Sequence, residues 1–343
     1  MLNTEIGWFT ESGTDDDVIL STRIRFGRNL ADMKFLGMMN EQESEELLEI
    51  CTRAFTQKLS KDAYHAGLVG DFSPIERRLL AEKRLIPSQY ALNKEYPLFI
   101  DRQYGTSGYI KDTDHVRFAS ICGGNDIEKA FSKCIELDTV LESQFEYAAT
   151  LDWGYVSPDL TSSGLGIRGS YLLHLPGLVR TEMIDNALKA VIQHGFTVKG
   201  FQSDTGKSMA DMYQVSNGIS FGLSEEEFRK KLETLGTQLV HYERKGREEL
   251  TSKQRLEIED GVMRSFGLLK YCRTIDYLEA IEHLSNIRLG ACLGMIEVNV
   301  QYITALFFLV EKSHLQAIGN AQTETENNAF RASLIQKYLE CSA

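Results

Sequence analysis

The sequence has no surplus of positive charge: 37 Lys and Arg face 49 Asp and Glu, a formal net charge of −12. That balance argues against a general grip on nucleic acid, which needs a basic surface. It also lacks a long apolar run. The longest, near Ile303 to Val310, is less than half of the ~20 residues a membrane helix requires, so no membrane partner is expected. The six cysteines, Cys51, Cys122, Cys134, Cys272, Cys292 and Cys341, are scattered without CxxC spacing, so no metal site of that type is expected and buried or idle thiols are. The segment Met1 to Gly7 shows no basic stretch followed by an apolar core; no signal peptide is expected, and the expected compartment is the cytoplasm. No internal repeat or low-complexity tract is visible. Any anion site must be a local cationic cluster within an acidic protein.

What is present suits a globular chain. With 343 residues, 43% hydrophobic and 25% charged, two domains or one large domain with an appendage are expected. Helix starts are marked by Asn40 with Glu43, by Ser73-Pro74 with Glu76, and by Ser224 with Glu227, each a cap followed by an acid at the third position. Helical spacing predicts further helices from about Asp126 to Tyr147 and from Thr181 to Gly195, the latter burying Ile184, Leu188, Val191 and Ile192. The Ser224 helix is expected to run to about Leu250. Strands are predicted at Val116–Ile121, Tyr171–Leu175, Phe196–Phe201 and Met212–Val215. Strands among helices without regular βαβ spacing predict an α+β sheet domain over residues 1–250. Residues 251–343 read as an all-helical module suited to dimerisation or partner contact.

Two short patterns mislead. Gly164-Leu-Gly-Ile-Arg-Gly169 matches GxGxxG, but a strand-like stretch follows where a dinucleotide site needs a helix. Gly206-Lys207-Ser208 has the wrong glycine spacing for a Walker loop.

The segment Val18-Ile-Leu-Ser-Thr-Arg-Ile-Arg-Phe-Gly-Arg-Asn-Leu30 reads as a strand. Strand side chains alternate faces, so Arg23 and Arg25 point the same way. Two readings are open: a clamp for a polyphosphate, whose oxygens match guanidinium forks, or two solvated arginines on an edge strand. Three further segments pair a cation with a strand end, and most add a carboxylate: Asp112 to Arg117, Trp153 to Ser170 with Asp159 and Arg168, and Val198 to Asp204 with Lys199, followed by Gln214 to Asn217. Singly, each is best explained as a structural ion pair. Together they suit phosphoryl transfer to an amine, which asks mainly for positioning and charge neutralisation.

In order, these segments resemble the signatures of the ATP:guanido phosphotransferases, the phosphagen kinase superfamily, and within it the bacterial protein-arginine kinases of the McsB type. "VILSTRIRFGRN" is similar to S-[ST]-R-[IV]-R-x-x-R-N, "DTDHVRF" to N-E-E-D-H-[LI]-R-I, "GYVSPDLTSSGLGIRGS" to G-Y-L-T-S-C-P-T-N-V-G-T-G-L-R-A-S, and "VKGFQSDTG" with "QVSN" to V-R-G-x-Y-G-E-G with Q-I-S-N. "RSFGLLKYCRTI" and "LSNIRLGACLGMI" resemble tail motifs of the bacterial branch. The resemblance implies a phosphagen-kinase-type antiparallel sheet flanked by helices. It implies ATP as phosphoryl donor, with Mg2+ held through the ATP phosphates. The implied nucleotide contacts are Ser21, Thr22, Arg23, Ile24, Arg25, Arg84 (at a nucleotide-contacting histidine position), Arg117, Arg168, Gly169, Ser170, Tyr171, Leu172, Lys199, Gly200, Phe201, Gln202, Ser203 and Asp204. Implied partners are arginine-bearing protein substrates, an McsA-type activator, a Clp-type protease and a second copy bound through the C-terminal helices.

The chain departs from the family pattern at the chemistry. The second Glu of the N-E-E-D-H signature, the expected base, is Thr113, flanked by Asp112 and Asp114. The guanidinium-contacting Cys is Asp159, the Arg of V-R-G is Lys199, and the G-E-G acid is Asp204. The tail motif R-D-x-x-R-A is Asn327-Asn-Ala-Phe-Arg331-Ala332. The catalytic candidates are therefore Asp112, Asp114, Asp159 and Asp204. Two outcomes follow: a working protein-arginine kinase with a rearranged acid site, or a degenerate nucleotide-binding adaptor for a Clp-type protease system.

Overall fold

In the computed structural model, residues 2–201, 208–319 and 321–340 are described. The strands are β1 (Ile19–Arg28), β2 (Tyr64–Leu68), β3 (Pro97–Asp101), β4 (Thr106–Ile110), β5 (Val116–Gly123), β6 (Ala149–Thr150), β7 (Gly154–Tyr155), β8 (Ile167–His174), β9 (Phe196–Gly200) and β10 (Met212–Asn217). Eight of them form one sheet in the order β2-β3-β4-β5-β1-β8-β10-β9, antiparallel at every pairing. β6 and β7 form a separate ribbon.

The helices are α1 (Glu41–Lys58), α2 (Pro74–Glu82), α3 (Ile127–Glu142), α4 (Pro176–Arg180), α5 (Ile184–Gln193), α6 (Glu225–Tyr271), α7 (Tyr277–Cys292), α8 (Val300–Leu309), α9 (Lys312–Gly319) and α10 (Glu324–Glu340). The expected starts of α1, α2 and α6 are capping boxes in which Asn40, Ser73 and Ser224 accept from the third backbone N–H and the acid returns the bond. The side chain of Asp126 caps α3 in the same sense, accepting from Lys129 N at 2.9 Å.

Burial sorts the faces. Val18, Ile24, Phe26, Phe118, Tyr171 and Val215 lie in one core with Leu47 and Phe55 of α1, Phe131 and Cys134 of α3, and Phe228, Leu232 and Leu239 of α6. A second core joins Trp8, Phe9, Ile121, Phe201 and Met212 to the C-terminal helices through Leu284, Phe307, Phe308 and Ile335. The helical tail therefore packs against the sheet domain beside Ile121 and Phe201.

Several expected boundaries move. α3 stops at Glu142, five residues short of Tyr147, and Phe145 is buried from the following turn. α5 starts at Ile184, and Ile192, expected inside, is 56% exposed because Val191 takes the inward position. The helix from Ser224 does not end near Leu250 but continues to Tyr271, with a non-helical Gln254 (φ −136°, ψ 31°) marking a kink. Strands β2, β3 and β4, absent from the sequence reading, extend the sheet beyond β5. The GxGxxG pattern runs into β8, with Gly164 and Gly166 at φ +91° and +63°, a strand entry and not a helix start. Of the other pattern, Gly206 and Lys207 lie outside the described residues.

Candidate active site

Cross-strand partners in an antiparallel sheet share a face, so the register of β1 assembles the site. On β8, Ser21, Arg23 and Arg25 face Leu172, Ser170 and Arg168. On β5, Arg23, Arg25 and Gly27 face Ile121, Ala119 and Arg117. Beyond β8, Leu172 faces Gln214 of β10, and Gln214 faces Lys199 of β9. One face thus gathers Arg23, Arg25, Arg117, Arg168 and Lys199. Arg84, just past α2, joins them: with Trp8, Ser21, Arg23, Ile121, Ser170, Leu172, Lys199, Gly200, Phe201 and Gln214 it lines a cleft of about 160 Å³. The Arg84 guanidinium lies 5.1 Å from the centre of the Phe201 ring.

The cations crowd one another. Burial lowers the Arg23 pKa, and the Arg117 and Arg84 charges add to the effect. Arg25 is pushed down to about 9 by burial and then by Arg23, with Arg117 and Arg168 contributing. Arg168 is lowered by burial and by Arg117. The Nε–H groups of Arg23, Arg25 and Arg84 are buried and meet no acceptor among the described residues. Buried donors left unpaired cost ~1–3 kcal/mol each, so the face suits a ligand with several anionic acceptors.

Carboxylates sit at the other end of β1. Asp112 pairs with Arg117 Nη1, and Asp114 Oδ2 lies 3.0 Å from Arg117 Nη2. Burial opposes the Arg117 charge, but the two carboxylates outweigh it and raise its pKa. Asp114 is buried and fully engaged: Oδ1 accepts from Asn29 Nδ2 at 2.9 Å and from Ser157 Oγ at 2.7 Å. Its approach needs the missing side chain of Gly27, whose Cβ would lie 2.4 Å from Asp114 Oδ2. Thr113 is half-buried beside them. Asp159, on the loop after β7, accepts from Thr161 N at 3.0 Å, Thr161 Oγ1 at 2.8 Å and Ser162 Oγ at 3.2 Å. The Thr161 hydroxyl, foremost, keeps its pKa below the usual carboxylate range, and Arg168 acts in the same direction. Among the described residues no three His, Cys, Asp or Glu gather to hold a metal ion.

The expected contact residues separate by strand parity. Ser21, Arg23, Arg25, Arg117, Arg168, Ser170 and Leu172 stand on the cationic face, while Thr22, Ile24, Gly169 and Tyr171 belong to the other. Thr22 Oγ1 donates to Gly124 O at 2.7 Å. Ile24 is in the core with α3 and α6. A Cβ on Gly169 would meet Leu232 of α6 at 2.5 Å, and the Tyr171 hydroxyl donates to Asn125 and to Leu232 O. These four shape the strands without reaching the cleft. Gln202, Ser203 and Asp204 lie outside the described residues. In the tail, Arg331 is buried and donates to Val310 O at 3.0 Å and Ile275 O at 2.8 Å. Trp8 and Ile121 of the cleft, and Glu311, whose Oε1 lies 3.3 Å from Arg84 Nη2, did not emerge from the sequence. Ile121 follows from the pairing with Arg23; nothing local marks Trp8 or Glu311.

Comparison with known proteins agrees with this architecture. A model of the ATP:guanido phosphotransferase C-terminal catalytic domain matches residues 45–246, and one of the protein-arginine kinase McsB C-terminal domain matches residues 255–343. The protein-arginine kinase of Geobacillus stearothermophilus is 32% identical over 343 residues, covering 98% of this chain and 94% of that one. That of Halothermothrix orenii is 32% identical over 335 residues, covering 97% and 96%. Among solved structures, a lombricine kinase aligns with TM-score 0.58 at 20% identity, covering 71% of this chain and 70% of that one. The substrate-free duplicated taurocyamine kinase of Schistosoma mansoni aligns with TM-score 0.59 at 18% identity, over 81% and 42%. The fold is that of the phosphagen kinases, and with a catalytic-domain match over more than half its length the chain belongs to the ATP:guanido phosphotransferase family.

Proposed function

We propose that the protein transfers the γ-phosphoryl group of ATP to arginine guanidinium groups of other proteins. The observation that carries this reading is a single sheet face running from a cationic cleft, with unpartnered Arg23, Arg25 and Arg84 donors, to a carboxylate-bearing end at Arg117 and Asp114. Arg23, Arg25, Arg117, Arg168 and Lys199 would hold the phosphates, with Arg84 and Phe201 forming the wall beside them. Mg2+ bound to the nucleotide supplies further neutralisation of phosphate charge. Transfer makes a bond from a guanidinium nitrogen to phosphorus and breaks the bond from phosphorus to the bridging oxygen, which leaves as ADP. The guanidinium proton passes to a carboxylate. Asp112 and Asp114 are held by Arg117, so Asp159, ionised at neutral pH, is the described carboxylate proposed to orient the acceptor and take that proton. Asp204 is proposed as its companion.

The proposal extends to the cytoplasm, to an McsA-type activator and to a Clp-type protease. It also includes a homodimer through the C-terminal helices, supported by the exposed Leu256, Met263, Tyr271 and Leu278 on α6 and α7. Among the described residues no helix is long and apolar enough to cross a membrane. A second reading, a nucleotide-binding adaptor without turnover, is favoured by one feature: Thr113 stands between two carboxylates that are already paired, and general acid–base catalysis is worth ~10²–10⁴-fold. Incubation with Mg-ATP and casein, followed by an assay for acid-labile phosphoarginine, separates the two. Signal well above an Arg23→Ala control is expected; ATP binding with no signal would establish the adaptor.

A further inference from the structure

The loops around Asp159 carry an apolar surface that the fold does not use. Trp153 is 55% exposed and Phe221 42%, and Leu151, Leu160 and Ile219 are more exposed still. The Trp153 and Phe221 rings contact each other, with centroids 5.3 Å apart and planes at 36°. Their loops are braced. Ser220 N donates to Thr161 O at 3.0 Å, and Ser220 Oγ donates to Ser162 O and Ser163 O at 3.2 and 3.1 Å. Gly154 and Tyr155 bridge to Gly164, and a Cβ on Gly164 would lie 2.9 Å from the Phe221 Cα. The same loop reaches the site through Ser157 Oγ, 2.7 Å from Asp114 Oδ1. Trp153, Phe221 and Asp159 therefore belong to one rigid unit.

From this juxtaposition we infer that Trp153 and Phe221 dock an apolar side chain flanking the acceptor arginine of a protein substrate, an inference that rests on the proposed phosphotransfer. A contiguous apolar patch on a braced surface marks an interaction site, and aromatic residues dominate the energetics of such sites. Ser220 ties the Phe221 loop to the turn that holds Asp159, the carboxylate proposed for the guanidinium, and Asp152 adds an exposed negative charge. Acidic and apolar groups side by side match a segment in which a cation neighbours an apolar residue. Five apolar side chains fall short of the ~20–30 residues per side of a stable protein–protein interface, which favours a short segment over a second copy.

The chain has two tryptophans, and Trp8 is 1% exposed, so Trp153 reports on its own surface. The full-length protein, without nucleotide because Trp8 lines the cleft, is titrated with two charge-matched peptides whose single arginine is flanked by Leu or by Ser. A blue shift of the emission with the Leu peptide alone is expected, lost in Phe221→Ser. In turnover with Mg-ATP, the Leu peptide should show about tenfold lower KM, the discrimination of one aliphatic side chain in an apolar site. Trp153→Ser should erase that preference with the KM for ATP unchanged. Equal responses to both peptides, or a shift that follows protein concentration without peptide, would overturn the inference. Selective binding with no phosphoarginine from any acceptor would instead overturn the phosphotransfer reading and leave the docking surface standing. Phosphoarginine formed equally from both peptides, without selective binding, would do the reverse.

Discussion

Arg84 and Glu311, separated by 227 positions in sequence, form an ion pair with Nη2 and Oε1 3.3 Å apart. Arg84 adopts a left-handed backbone (φ +62°), rare for a residue with a Cβ, and its side chain walls the cleft over Phe201. Two residues earlier, Glu82 accepts from Ser313 N at 2.8 Å and His314 N at 3.0 Å, and meets His314 Nδ1 at 2.8 Å. The helical tail is thus fastened to α2 at the residue that shapes the cleft. Glu311→Gln should keep the fold and raise the KM for ATP by up to about fivefold, as expected for a partly exposed pair worth ~0.2–1 kcal/mol. Unchanged ATP affinity in the variant would mean that the tail does not position Arg84.

Arg25 opposes folding while serving an anion. Burial foremost, and then the Arg23, Arg117 and Arg168 charges, push its pKa down: the charged form is both poorly solvated and repelled. Arg25→Met, which keeps the apolar stem, should raise the melting temperature of the ligand-free protein, by ~1 kcal/mol of stability, and abolish most of the stabilisation by Mg-ATP. Thermal denaturation with and without Mg-ATP checks both halves. A variant less stable than the parent would show that the arginine is satisfied without ligand.

The carboxylates divide into support and chemistry. Asp114 is buried against Arg117, Asn29 and Ser157; Asp114→Ala leaves those donors stranded and should cost ~3–5 kcal/mol, the usual penalty for breaking a buried pair. Among the described residues the Asp159 side chain hydrogen-bonds only within its own turn, so Asp159→Ala should fold normally yet lose phosphoarginine formation. Urea denaturation beside the acid-labile phosphate assay distinguishes them, and normal turnover in Asp159→Ala would move the acceptor site elsewhere.

Local signals made part of this legible. The caps at Asn40, Ser73 and Ser224 and the β-branched runs at Val116 and Phe196 carry their structure in a few residues, and α1, α2, α6, β5 and β9 appear where they point. β2 and β4 do not announce themselves: Tyr64–Leu68 and Thr106–Ile110 are short and contain Gly67 and Gly108, and only their pairing, β2 with β3 and β4 with β3 and β5, fixes them as strands. Gly108 reads as a weak strand position, yet a Cβ there would strike the Phe99 ring at 2.1 Å. In the site, the i, i+2 rule separates Arg23 and Arg25 from Ile24, and applied to Arg168–Leu172 it would have set Gly169 and Tyr171 apart as well. Trp8 reaches the cleft, and Glu311 reaches Arg84 at its wall, by tertiary packing alone, which no local pattern records.

Three buried histidines set the response to acid. His115 Nδ1 accepts from Leu30 N at 3.0 Å, which leaves the Nε2 proton for Lys34 O at 2.9 Å. His174 lies between the Arg288 guanidinium, 2.9 Å from Nδ1, and Ser285 Oγ, 2.8 Å from Nε2. His314 Nδ1 donates to Glu82. Burial lowers all three pKa values, with Arg288 adding to the effect at His174, and at His314 burial prevails over the Glu82 charge. Each folded pKa lies below the unfolded value, so below about pH 6.5 the unfolded chain binds more protons and stability falls as pH falls. The slope is about 1.4 kcal/mol per pH unit for each proton of difference. Unfolding free energies measured from pH 8 to pH 5 should be flat above pH 7 and drop steeply below 6.5. A stability curve level down to pH 5 would require these histidines to be protonated in the folded state, which the donor at Leu30 N and the Arg288 charge oppose.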